Sequence, residues 1–195
     1  MARYGILLLG SLLFSQLGSA QTVPPKFEVG GQFTAIHLTD VKENTFGLGV
    51  RFVYNPVRYF SLDSELNYTF PKPTVGSSET GGHLLEGFVG VKAGVRKSKI
   101  GIFGKVRPGL ASFDDVAKFI TFSPPSVQFG RRTQFALDVG GVVEIYAWRR
   151  LSFRYDVGDT MVFYGRESLF PPPFPLTRPV TLHNFQFSSG ILFRF

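Results

Sequence analysis

The chain has 195 residues, 22 phenylalanines, 22 glycines, no cysteine and only 18% charged residues. Its length fits one domain, and the lack of cysteine excludes a disulfide framework and any thiolate site. A net charge of +7 and a sequence pI near 9.8 raise nucleic acid as a partner; the export signal argues against it, and basic residues suit anionic lipid headgroups equally well.

That signal opens the chain. Arg3 supplies a positive start, residues 6–14 are apolar apart from Gly10 and Ser11, and Gly18-Ser19-Ala20 is a small-residue cleavage site before Gln21. The apolar run is too short to span a hydrocarbon core of roughly 30 Å. Residues 1–20 are expected to be a cleaved signal peptide, 21–26 a short periplasmic segment and 27–195 a single barrel domain.

Eight segments then alternate apolar and polar residues: 27–38, 44–54, 59–70, 83–95, 100–112, 133–146, 151–163 and 181–195. Strict alternation marks strands with two unlike faces. No segment keeps a helical period, and none after the signal approaches twenty apolar residues, which argues against membrane helices. One face is apolar, for example Phe46, Leu48, Val50, Phe52 and Tyr54. The other carries Glu28, Arg51, Asp63, Glu65, Glu86, Lys92, Lys105, Arg107, Asp138, Glu144, Arg154, Asp156 and Arg194. Asp159 is the exception on the apolar face, accommodated by a bulge or by the membrane interface.

Two closed barrels fit this alternation. A soluble carrier of lipocalin type turns its apolar face inward; a membrane barrel turns it toward lipid. Ten glycines, Gly30, Gly90 and Gly140 among them, fall on the charged face. Glycine offers little to a solvated strand but makes room inside a narrow barrel. The reverse arrangement crowds many large aromatic side chains into one small lumen. The sequence therefore predicts an all-β, eight-stranded antiparallel up-and-down transmembrane barrel, with charges inward. Connections agree: short turns at 55–58, 96–99 and 147–150 alternate with longer loops at 39–43, 71–82, 113–132 and 164–180, and an even strand count returns both ends to the short-turn side.

The signal, the eight strands and the terminal run Ile191, Phe193, Arg194, Phe195 resemble the small outer-membrane barrels of Gram-negative bacteria, the OmpA-like transmembrane domain and its OmpX-like relatives. Gly104-Lys105-Val106-Arg107-Pro108-Gly109 and Arg154-Tyr155-Asp156-Val157 are similar to runs in such barrels. The resemblance implies an outer-membrane location, lipid as surroundings, and Ile191, Phe193 and Phe195 as a signal to the barrel-assembly machinery. With the chain stopping at Phe195, the peptidoglycan-binding domain of longer relatives is not expected.

His37, His83 and His183 lie near strand ends on the long-loop side, and none sits two residues from a serine, the short spacing associated with outer-membrane lipid deacylases. The expectation is no enzyme, cofactor or metal site, with a lipid-modifying activity as an outside alternative. The charged lumen reads either as a plug of ion pairs or as a small pore for ions or hydrophobic solutes. Phe119, Phe122 and Phe129 in the third loop, and Phe170 and Phe174 beside Pro171-Pro172-Pro173 in the fourth, are candidate contacts for an extracellular ligand. The reading is a monomeric outer-membrane barrel with a structural or surface-interaction role.

Overall fold

A computed structural model describes residues 25–39, 43–70, 83–122, 125–165 and 179–195, the side chains of 43 and 115–129 excepted. It contains β1 (Phe27–Leu38), β2 (Glu43–Val57), β3 (Phe60–Thr69), β4 (Leu84–Arg96), β5 (Ile100–Phe122), β6 (Pro125–Trp148), β7 (Leu151–Tyr164) and β8 (Val180–Arg194). Each strand pairs antiparallel with the next, and β1 pairs with β8, so the sheet closes into a barrel. At the seam the Phe195 amide donates to the Phe27 carbonyl at 2.9 Å, and Glu28 faces Arg194 in register.

Alternation sorts the side chains as expected. Val50, Leu48 and Ile102 are 60%, 56% and 60% exposed, while Arg107, Glu144 and Lys92 are fully buried. A polar interior inside an apolar exterior inverts a soluble fold, and it suits a barrel surrounded by hydrocarbon. Two inward glycines allow close backbone approach. A methyl group at Gly30 would overlap the Ile191 carbonyl across the β1–β8 seam. At Gly90 it would overlap the Val106 carbonyl and crowd Arg107.

The third loop departs from expectation. The sequence places a loop over residues 113–132. Instead β5 and β6 keep pairing out to Phe122 and Pro125. The stretch Val116-Ala117-Lys118-Phe119-Ile120-Thr121-Phe122 is rich in β-formers. The register shift between Phe113 and Val116 absorbs the acidic pair as a bulge, and a second shift between Ala117 and Phe119 follows it. The β4–β5 ladder ends at Leu84 and Phe113, and the β6–β7 ladder at Phe135 and Phe163. Beyond them residues of β5 and β6 form a two-stranded ribbon that, among the described residues, pairs with no further strand. At its base Arg131 clamps Asp114 through bonds of 2.6 and 3.0 Å, and the hydrogen bonding by that guanidinium holds the carboxyl below its ordinary range.

The short turns are tighter than expected. Strand β2 continues through Asn55 and Pro56 to Val57 by a register shift after Tyr54, and β6 reaches Trp148 by a shift after Tyr146. The second shift sets Trp148 opposite Leu151, where it is 65% exposed.

This division of faces is testable. Val50→Arg should lower unfolding free energy in a bilayer by about 2–4 kcal/mol, measured by urea titration, because the charge would face hydrocarbon near the middle of β2.

Candidate functional site

The lumen is built by the inward residues of all eight strands and is stratified along the barrel axis. Toward the long-loop end lies an apolar layer of Ile36, Leu84, Phe88, Ala111, Ala136 and Val162, with Leu38, Phe113 and Tyr164 packed on it. Below it comes an amide and hydroxyl layer. Gln32 donates to Asn67 at 2.6 Å, Asn67 to Glu65 at 2.6 Å, Thr160 to Gln186 at 2.8 Å, and Ser188 to Thr34 at 3.1 Å.

The middle of the lumen holds the ions. Arg51 bridges Glu65 and Asp156, the latter at 2.5 Å. Arg107 reaches Asp138 through Nε at 2.7 Å, Glu65 at 2.6 Å and Asp63 at 3.4 Å. Arg154 meets Asp63 and takes Asp156 with Nε at 2.8 Å and Nη2 at 3.0 Å. Lys105 lies 2.9 Å from Asp138 and 3.4 Å from Asp156, and Lys92 is paired with Glu144. Each guanidinium serves several carboxylates from different strands, which its forked donors permit and a lysine ammonium matches less well. Burial without such pairing would be costly.

Near the short-turn end the packing turns aromatic. Arg96 donates to the Tyr146 hydroxyl at 2.8 Å, and that hydroxyl donates to Glu144 at 2.8 Å. Arg194 stacks over the Tyr146 ring at 4.3 Å and lies 3.5 Å from Glu28. Asn55 donates to Glu28 at 2.9 Å, and Lys92 sits over the Phe103 ring at 4.8 Å.

All thirteen charged residues singled out in the sequence line this lumen. Twelve of them are joined by the bonds above. Glu86 is set apart: it is fully buried, yet among the described residues neither carboxylate oxygen has a hydrogen-bond partner. It faces Asn67 on β3 and Ala111 on β5, at the border of the apolar layer. Sequence reasoning missed Arg96, assigned to a turn although it continues the inward series Glu86, Phe88, Gly90, Lys92, Gly94. With Arg96 the lumen holds seven acids and seven bases. Also missed were the neutral partners Asn55, Asn67, Tyr146 and Gln186, which composition does not distinguish from surface polar residues.

On the outer face of the barrel, toward the long-loop end, every hairpin carries a polar side-chain pair. These are His37 with Asn44 at 2.8 Å, Tyr68 with His83 at 2.5 Å, Ser112 with Thr133 at 3.0 Å, and Asp159 with His183 at 2.6 Å. The last pair explains why Asp159 is tolerated on the apolar face. Ile191 and Phe193 face outward on β8, opposite Gly31 and Val29, and Phe195 is 71% exposed. Phe119 and Phe122 lie on β5 and Phe129 on β6 rather than in a loop; Phe170 and Phe174 lie outside the described residues.

The comparisons agree with this geometry. No protein-family model matches the chain, and no curated protein does. Among solved structures it is similar to Neisserial surface protein A, with a TM-score of 0.58, 13% identity, and coverage of 87% of this chain and 97% of that one. It is also similar to Ail, the attachment invasion locus protein of Yersinia pestis, crystallised with the heparin analogue sucrose octasulfate, with a TM-score of 0.50, 11% identity, and coverage of 89% and 99%. The chain thus has the fold of the small eight-stranded outer-membrane β-barrels.

Two substitutions separate paired from unpaired lumen charges. Arg107→Ala should lower stability by about 3–5 kcal/mol, since it strands buried carboxylates. Glu86→Gln should leave stability unchanged or raise it, because no bond to the carboxylate is lost. Urea unfolding of both proteins in the same bilayer checks the contrast.

Proposed function

We propose that this chain is a non-enzymatic, monomeric outer-membrane protein in which a plugged barrel serves as a rigid base and the projecting β5–β6 ribbon as the interaction element. The observation that carries the reading is the filled, layered lumen: six acids and seven bases buried in one network, with an apolar layer above it that also encloses Glu86. An eight-stranded barrel is only wide enough for its side chains, and here those side chains bond to one another across the full width. Bases and acids that line a water-filled path stand apart; these do not.

The ribbon supports the surface-interaction half of the proposal. Residues 116–122 and 125–130 pair with each other and, among the described residues, with no further strand. A ribbon edge of this kind offers backbone donors and acceptors to an extended partner segment. Residues 1–20 act as a cleaved export signal in this proposal, the short turns and both ends of the barrel face the periplasm, and the ribbon faces outward.

Planar-bilayer recording tests the plug. The protein should give no stable, well-defined channels, and steady channels whose ion selectivity changes in Arg154→Ala would establish a pore instead. Assembly supplies a second measurement. Phe195 closes the seam against Phe27 and ends the outward aromatic row, so its deletion should lower the amount in the outer membrane and raise periplasmic degradation while export continues. Unchanged outer-membrane yield would remove Phe195 from the role of assembly signal.

A further inference from the structure

The positive charge of this chain is unevenly placed. The lumen is balanced, seven acids against seven bases. The three short turns and the residue before β1 hold Lys26, Arg58, Lys97, Lys99, Arg149 and Arg150, and no acidic side chain. Apart from Arg3, the remaining bases and acids balance as well, so six of the seven surplus positive charges reside in this collar.

The collar is also built to meet a membrane surface. Lys26, Lys97, Lys99, Arg149 and Arg150 are exposed. Arg58 is half-buried, and its guanidinium donates to the Arg96 carbonyl at 2.9 and 3.3 Å, a bond that leaves its charge uncompensated. Five of the six bases stand next to an outward-facing apolar or aromatic residue: Lys26 beside Phe27, Arg58 beside Tyr59, Lys99 beside Ile100, Arg149 beside Trp148, Arg150 beside Leu151. Tyr59 and Trp148 are 48% and 65% exposed, and such rings favour the headgroup level. The bases belong to all four strand junctions at this end, so they surround the barrel rather than converge on its axis.

From this we infer that the collar binds the phosphates of anionic phospholipid headgroups in the leaflet around the short-turn end. The inference rests on the reading that the apolar exterior faces lipid. Basic residues at a membrane surface are drawn to anionic lipid, and the attraction weakens within a Debye length. A ring that encircles the barrel fits an annulus of lipids better than a single polymer docked from below.

Trp148 is the only tryptophan of the chain and lies inside the collar, which supplies a local probe. The full chain is expressed, purified from membranes and reconstituted in phosphatidylcholine vesicles containing dibrominated phosphatidylglycerol or dibrominated phosphatidylcholine, and quenching of Trp148 is compared. The expected result is a preference for phosphatidylglycerol of roughly threefold or more at low salt, falling toward unity in about 0.5 M NaCl. The preference should also be lost in the combined variant Lys97→Gln, Lys99→Gln, Arg149→Gln, Arg150→Gln, whose side chains are exposed and whose loss leaves the lumen network intact. Equal quenching by the two lipids, or a preference that survives the four substitutions, overturns the inference. Absence of quenching by either lipid instead removes the membrane reading on which it rests. Retention of the protein on purified cell-wall sacculi through the same four residues, without lipid preference, overturns it in favour of an anionic wall polymer.

Discussion

Closure of the sheet is the constraint from which the rest of this structure follows. A strand edge exposed to hydrocarbon leaves backbone groups without partners, at a cost of several kcal/mol each. Pairing β8 with β1 removes that edge, and the seam is secured down to the last residue by the Phe27–Phe195 backbone bonds. Closing eight strands then fixes a lumen that only side chains can fill. With every second residue directed inward and the outward set apolar, the inward set carries the polarity of the whole domain.

That polarity has to neutralise itself at short range. The arginines do most of the bridging: Arg51, Arg107 and Arg154 each contact carboxylates contributed by other strands, so the network ties β2, β3, β5, β6 and β7 across the lumen. Such a network specifies register as well as satisfying charge. Slipping one strand by a residue would turn its carboxylates toward lipid and leave their arginines alone. Neutral groups complete what the ions leave open, as where Tyr146 relays between Arg96 and Glu144.

Much of this was legible in the sequence because a two-residue period encodes facing directly. The strand 27–38 was read with the bounds it has, and Arg107, Asp138 and Glu144 fell on the inward face by parity alone. Parity fails at bulges. Asn55 and Trp148 lie beside register shifts that no pattern of apolar residues announces. The ribbon was hidden for a related reason: Asp114-Asp115 and Ser123-Pro124 are turn signals, and a bulge converts the first of them into a continuing strand. Pair identities were not legible because they depend on shear, the offset of β8 against β1, which places residues distant in sequence at one level. Glu86 shows the same limit. Its parity is that of its neighbours, yet its level puts it between Leu84 and Phe88 of the apolar layer.

The order of layers bears on function more than the number of ion pairs. An ion crossing the lumen would have to leave the charged middle and pass the layer of Ile36, Leu84, Phe88 and Val162, whose apolar side chains, interrupted by Glu86, offer little to replace its hydration. The apolar layer sits at the end from which the ribbon projects, so the same side chains seal the barrel and support the base of the projection, with Phe113 packed between them. In the proposed reading, this packed mouth beneath a two-stranded projection presents a surface rather than passing a solute.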